Sequence, residues 1–294
     1  MIVRKWMIVT HSALKSRRIL VSAVCATMSV LWLAASAAAD PAEVFAKPAP
    51  NVPALIKGGA EPVDVAHQLI KAGLERWAKV RDMEVVFTRN ERLDGKTQCR
   101  GYETIHLRER NRPRSVYMKW VEGPGKGREL AYIKDRDRNH FTVTPGGLLG
   151  WAVVRRELNH PDVLAVSRHS VADAGMGPLL KKLDAQFTAS RKDAVVVYCG
   201  ETTIDGRACY RFLRFLPEKD GPDGVRYYCW KLDLSIDKEL CLPVNVKCYG
   251  WKRQLDWQKE PFEDYTFTRF AFDQKMSDKS FEVHATRERP ANDQ

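Results

Sequence analysis

The stretch Met83-Glu84-Val85-Val86-Phe87-Thr88 begins an alternation of period two, with Met83, Val85 and Phe87 on one side and Glu84, Val86 and Thr88 on the other. Such alternation marks a strand with one buried face. It continues outward. Asp94-Gly95 supplies a hairpin turn, Ile105 and Leu107 alternate with Thr104, His106 and Arg108, and Val116, Met118 and Trp120 share a face of the next segment. Beyond the loop Gly123 to Gly127, Leu130 and Tyr132 repeat the pattern. These segments predict an antiparallel meander.

Helices flank it. Within Pro62 to Arg81, the residues Val65, Leu69, Ile70, Gly73, Trp77 and Val80 make one apolar stripe, and Pro62 suits a first helical turn. Leu148 to Lys192 reads as mostly helical, with Gly175 and Pro178 introducing Leu179, Leu180, Leu183 and Phe187. Strands resume at 195–204, 207–216, 225–236, 240–251 and 263–272, with a second Asp-Gly turn at Asp205-Gly206. The fold class is α+β, and one domain over residues 62–290 needs no internal boundary.

Upstream, Lys15, Arg17 and Arg18 precede 21 uncharged residues from Ile19 to Ala39 that end in Ala37-Ala38-Ala39. A basic start, an apolar run and a small-residue end predict a secretory signal over residues 1–39; an uncleaved anchor is the alternative. Residues 40–61, with Pro41, Pro48, Pro50 and Pro53, read as a Pro/Ala-rich linker. Five positive charges and no acid lie in the leader, so the formal +11 becomes +6 in the mature chain. Mixed charge and an exported address, periplasm or cell envelope, argue against nucleic acid as a partner, while contact with an anionic membrane surface remains open.

Cys99, Cys199, Cys209, Cys229, Cys241 and Cys248 remain after cleavage, an even set that in an oxidising compartment predicts at least one disulfide. The pairing is not readable. Aligning the apolar faces of Tyr228 to Ile236 and Leu242 to Cys248 puts Cys229 and Cys248 on opposite sides of the sheet, unless a bulge intervenes.

Ser115-Val116-Tyr117-Met118-Lys119-Trp120, Gly127 to Tyr132, Ser167-Arg168-His169, Gly175, Asp237 to Val244 and Glu263 to Thr268 together resemble an uncharacterised bacterial secreted family, domain of unknown function 1571. The helix, meander, helical insertion and Leu242-Pro243-Val244 also resemble the periplasmic lipoprotein carrier superfamily. That resemblance implies an antiparallel half-open β-barrel of about 9–11 strands. An N-terminal amphipathic helix and a helical insertion would form a lid over an apolar cavity for acyl chains.

The search for chemistry mostly rejects. Gly123 to Gly127 lacks the Lys-Ser or Lys-Thr of a phosphate loop, and Asp135 to Gly146 lacks the Gly and Glu of a calcium loop. The histidines have no metal spacing, and His169 reads as a loop residue bonding the backbone. No cofactor and no metal is implied. Phe87, Leu107, Met118, Trp120, Leu130 and Trp230 fall on apolar faces, where they either line a cavity or fill an ordinary core. The reading is a non-enzymatic binding protein for lipid or lipoprotein acyl chains. The alternative is an envelope polysaccharide binder or hydrolase using acid pairs such as Glu263 and Asp264.

Overall fold

A computed structural model describes residues 44–45, 48–94, 96, 98–218, 220–221, 224, 227–251 and 260–284. The export signal and the start of the linker lie outside them. Eleven strands among the described residues form one sheet: β1 (Asp82–Glu91), β2 (Glu103–Arg110), β3 (Ser115–Glu122), β4 (Glu129–Ile133), β5 (His140–Thr144), β6 (Val154–Glu157), β7 (Val195–Ile204), β8 (Arg207–Phe215), β9 (Lys231–Asp237), β10 (Pro243–Tyr249) and β11 (Glu263–Phe272). Their order is β6-β5-β4-β3-β2-β1-β11-β10-β9-β8-β7, and every pairing is antiparallel. The first and last strands therefore meet at the centre, and the sheet stays open between its edges β6 and β7.

Register places the apolar positions of neighbouring strands together. Phe87 faces Ile105 on one side and Phe267 on the other, Leu107 pairs with Val85 and Met118, and Met118 pairs with Leu130. A slip of one residue would turn each set to the other face, so burial holds the register. The strand β6 lies in the stretch expected to be mostly helical. Its Val-Arg-Arg-Glu sequence is too short to show a period, and pairing with β5 decides its conformation.

Among the described residues the helices are α1 (Val52–Lys57), α2 (Pro62–Trp77) and α3 (Met176–Ser190), with single turns elsewhere. Residues 52–57, inside the segment the sequence assigns to a linker, form a helix whose Val52 is fully buried. Asn51 Oδ1 accepts from Ala54 N–H at 3.2 Å, and proline is tolerated in a first turn, so a Pro-rich stretch here starts a helix. Helix α2 begins at Pro62 as expected and stops at Trp77. Asn111 Nδ2 donates to the carbonyls of Trp77 at 2.9 Å and Val80 at 2.7 Å, which closes the helix and leads the chain into β1. None of the helices among the described residues is long and apolar enough to cross a membrane.

Gly73 is where α2 touches the sheet. A Cβ there would lie 2.4 Å from the Cys241 carbonyl oxygen and 3.1 Å from Leu180 Cδ2 of α3. Gly73→Ala is expected to destabilise the protein by about 1–3 kcal/mol, as overpacking does, even though alanine favours a helix. Urea denaturation checks it; a variant as stable as wild type would mean that the β9–β10 turn yields freely.

The expected disulfide is absent: all six cysteines beyond the leader are free thiols. Burial pushes Cys209 and Cys241 up to about 11, which keeps them as unreactive thiols. Cys248 pairs with Leu232, as face alignment requires. The chain before β9 is irregular, however, and it buries the Cys229 thiol close enough to Cys248 for the two to influence each other's titration, with Arg214 Nη2 donating to Cys229 Sγ at 3.9 Å.

Candidate binding cavity

The inward positions of the sheet and the underside of α3 enclose a cavity of about 600 Å³. Phe87, Met118, Leu130, Phe141 and Phe267 supply its apolar wall from the sheet, and Leu179 and Leu183 supply it from α3. Of the six residues singled out in the sequence, Phe87, Met118, Trp120 and Leu130 lie on this wall. Leu107 is fully buried in the core and does not reach the cavity. Trp230 is half-buried off the wall, 5.6 Å from the ring of Phe215. The irregular chain at Cys229 breaks the alternation that would have turned Trp230 inward, and Tyr228 faces the cavity in its place.

One end of the cavity is polar, because the inward alternation of β1 runs from Phe87 to Arg89 to Glu91 and that of β11 from Phe267 back to Tyr265 and Glu263. Glu91 lies directly across from Glu263 in the register. Two buried carboxylates side by side must be neutralised by donors. Ser167-Arg168-His169 lies over this end and supplies several of them. His169 Nε2 donates to Glu263 Oε1 at 2.7 Å, and Tyr228 donates to the same oxygen. Arg168 N–H donates to Glu91 Oε2 at 3.2 Å and Tyr265 Oη donates to Glu91 Oε1 at 2.6 Å. Arg89 Nε donates to Glu103 Oε2 at 2.8 Å, while its Nη1 reaches Ser167 Oγ at 3.0 Å.

These contacts set the charge states. Burial alone would raise the Glu263 carboxyl, but the hydrogen bond and charge of His169, the charge of Lys182 and the Tyr228 hydroxyl pull it down to about 2. Tyr228 is pushed up by burial and by Glu263, so it stays a phenol that donates. His169 is thus an anchor for a buried carboxylate, and the expectation that it bonds the backbone is corrected. Its signal was in the sequence: Glu263 is in phase with Tyr265 and Phe267, so it points inward and requires a cationic or donor partner.

Glu263 and Asp264 do not share a cleft. Adjacent strand residues point to opposite faces, and Asp264 accepts from Tyr102 Oη at 2.8 Å and Asn245 Nδ2 at 3.2 Å. The Asp135 to Asn139 segment is a charged turn in which Asp137 Oδ2 accepts from Ile133 N–H at 2.7 Å. No group of three or more His, Cys, Asp or Glu among the described residues is placed to hold a metal ion.

Several solved structures are similar to the chain at low identity. A DUF1329 family protein from Desulfovibrio piger is 13% identical over 76% of this chain and 98% of its own, with a TM-score of 0.38. The lipoprotein LppX of Mycobacterium tuberculosis is 10% identical over 73% and 98%, with a TM-score of 0.42. A LolA superfamily protein from Nitrosomonas europaea is 10% identical over 72% and 97%, with a TM-score of 0.32. No curated protein matches the chain. The family model described as protein of unknown function, DUF1571, matches residues 80–289, which takes in every strand of the sheet and the whole polar end of the cavity; the chain belongs to this family.

Proposed function

We propose that the protein is a non-enzymatic carrier or sensor in the cell envelope that binds the acyl chains of lipids or lipoproteins in the cavity under α3. The observation that carries this reading is the cavity itself: about 600 Å³, walled by aromatic and aliphatic side chains and closed at one end by ordered charges. That volume falls within the roughly 300–1,000 Å³ of small-molecule sites. Each methylene buried there contributes about 0.8 kcal/mol, so a chain of ten carbons supplies ample gross affinity without polar contacts. In this reading α3 and the segment before it act as a lid. The open edge between β6 and β7 lets the sheet spread around a bulky chain. A hydrolase reading is less favoured, because Glu263, held to about 2 and saturated with donors, is fitted to anchor a wall and not to deliver a proton.

The test is binding of a fluorescent fatty-acid probe to the purified mature protein, together with native mass spectrometry of material isolated from membranes. Wild type is expected to bind the probe and to carry acyl species. Met118→Trp and Leu130→Trp place a larger ring into the cavity, and each is expected to weaken binding at least ten-fold with the thermal midpoint little changed. A folded wild-type protein that neither binds the probe nor carries lipid would overturn the proposal.

A further inference from the structure

Four cationic side chains, Arg89, Arg128, Arg156 and Lys182, lie on the cavity wall, and their partners differ. Arg89 is held by Glu103 and Ser167. Arg156 lies 3.9 Å from Asp162, which, like Asp173, is an exposed residue at the rim. Glu91 and Glu263, the buried carboxylates that line the wall, are already satisfied by Tyr265, Tyr228, His169 and Arg168, and Glu103, buried behind the wall, is the partner of Arg89. Arg128 stands apart: among the described residues its guanidinium has no hydrogen bond and no carboxylate within ion-pair distance. It lies over the Trp120 indole, 5.3 Å from the ring centroid.

The loop before β4 is built to hold Arg128 there. Gly127 N–H donates to the Trp120 carbonyl at 2.9 Å, Trp120 N–H to the Arg128 carbonyl at 2.9 Å, and Arg128 N–H to the Gly125 carbonyl at 3.0 Å. Gly125 lies against the edge of the indole, where a Cβ would sit 2.5 Å from Trp120 Cδ1. Gly146 backs the same turn, its would-be Cβ 2.7 Å from Arg128 N. This packing costs charge stability. Burial and the neighbouring Arg89 and Arg100 push the Arg128 guanidinium below its ordinary value, although Glu103 pulls the other way. On the same wall, Trp120 is 4% exposed and its indole Nε1 has no hydrogen-bond partner among the described residues. A partly buried guanidinium on the cavity wall, aligned on an indole and bonded to no carboxylate, is a receptor for an anionic oxygen.

We propose that the cavity's occupant is an amphiphile with an anionic head, carboxylate or phosphate, and that Arg128 receives that head while the apolar wall holds its chain. This rests on the acyl-binding reading and narrows it. Lys182 adds a second positive charge at the polar end, 3.4 Å from His169 Nδ1 and 4.3 Å above the Tyr228 ring, and favours the same sign of ligand.

The test is competition against the fluorescent fatty-acid probe by amphiphiles of one chain length: palmitate, palmitoyl lysophosphatidylglycerol and neutral monopalmitoylglycerol. Wild type is expected to bind at least one anionic competitor ten-fold or more tightly than the neutral one. Preference for palmitate alone identifies a carboxylate head, and preference for the lysophospholipid alone a phosphate. Arg128→Gln is expected to bring the preferred anion within about three-fold of the neutral compound. Equal binding of all three by wild type overturns the head-group assignment while the acyl-binding reading stands. A preference that survives Arg128→Gln overturns the role of Arg128. Failure of all three to bind overturns both readings together.

Discussion

Glu263→Gln is expected to lower the stability of the protein by roughly 3 kcal/mol at neutral pH, and the loss is expected to vanish in acid. The folded carboxyl titrates near 2 against an ordinary 4.5, and each unit of that difference is about 1.4 kcal/mol. Because the folded value is the lower one, the ionised form favours the native state. The full contribution is present above about pH 4.5 and is lost as the pH falls toward 2. Glutamine keeps the shape and one acceptor oxygen but cannot attract His169 and Lys182 by charge. Urea titrations of wild type and variant from pH 6 to pH 2 check this. The difference between the two curves should shrink by roughly 3 kcal/mol across that window, and a gap that stays constant with pH would show that Glu263 stabilises by packing alone. Histidine 169 offers a second handle. His169→Leu removes the first of the donors to Glu263 and should move the acid transition to higher pH.

The sheet was legible in the sequence where one face is apolar and the other polar, as from Met83 to Phe87, because burial on one side writes a period of two into the chain. It was not legible at β6, whose Val-Arg-Arg-Glu lies on an edge and takes its conformation from β5. The open barrel with a helical lid came from family resemblance; the structure itself shows the open eleven-stranded antiparallel sheet and α3 along the cavity. Proline misled in the opposite sense. Four prolines suggested a tether, but a proline in a first turn is compatible with α1, and the burial of Val52 depends on a tertiary surface that local composition cannot show.

The cavity was half legible. Counting inward positions found Phe87, Met118, Trp120 and Leu130, and it placed Leu107 and Trp230 on the same wall. Leu107 shares their phase but is fully buried in the core, away from the cavity, which period alone does not encode. Composition gives no sign of the polar end, because mixed charge is what a solvated surface also shows. Continuing the same count from Phe87 to Arg89 and Glu91 would have carried it inward, and the charges that must go inside are the ones that specify partners. Arg128 had no periodic signal at all, since it sits in a turn shaped by Gly125 and Gly146.

The larger effect is expected at the opposite end of β2, where Glu109→Ala should cost about 3–5 kcal/mol and loosen α3 from the sheet. Glu109 is fully buried and follows Ile105 and Leu107 on the inward face. Its oxygens accept from Met176 N–H at 2.5 Å and Gly177 N–H at 3.2 Å, the first residues of α3, and from Arg114 Nη1 at 2.6 Å. Arg114 also donates to the Ala174 carbonyl, so the carboxylate and the guanidinium together clamp the entry to the helix. Burial pushes the Glu109 carboxyl up against the pull of these donors. Alanine would leave Arg114 Nη1 and two amide groups without their acceptor, and removing one partner of a buried pair is the costly way to break it. Glutamine, with one acceptor oxygen left, should cost less. The chain has no room to adjust, because Gly175 wraps the carboxylate at φ 105° and a Cβ there would lie 2.4 Å from Glu109 Oε2. Gly175→Ala should therefore act in the same direction through strain and collision. Thermal unfolding should show Glu109→Ala melting roughly 8–15 °C below wild type. Hydrogen exchange should show protection lost over residues 176–190 before the sheet opens, since a helix with its anchor removed opens locally. A variant within 1 kcal/mol of wild type, with α3 as protected as β1, would show that the apolar contacts of Leu180, Leu183 and Phe187 dock the helix unaided.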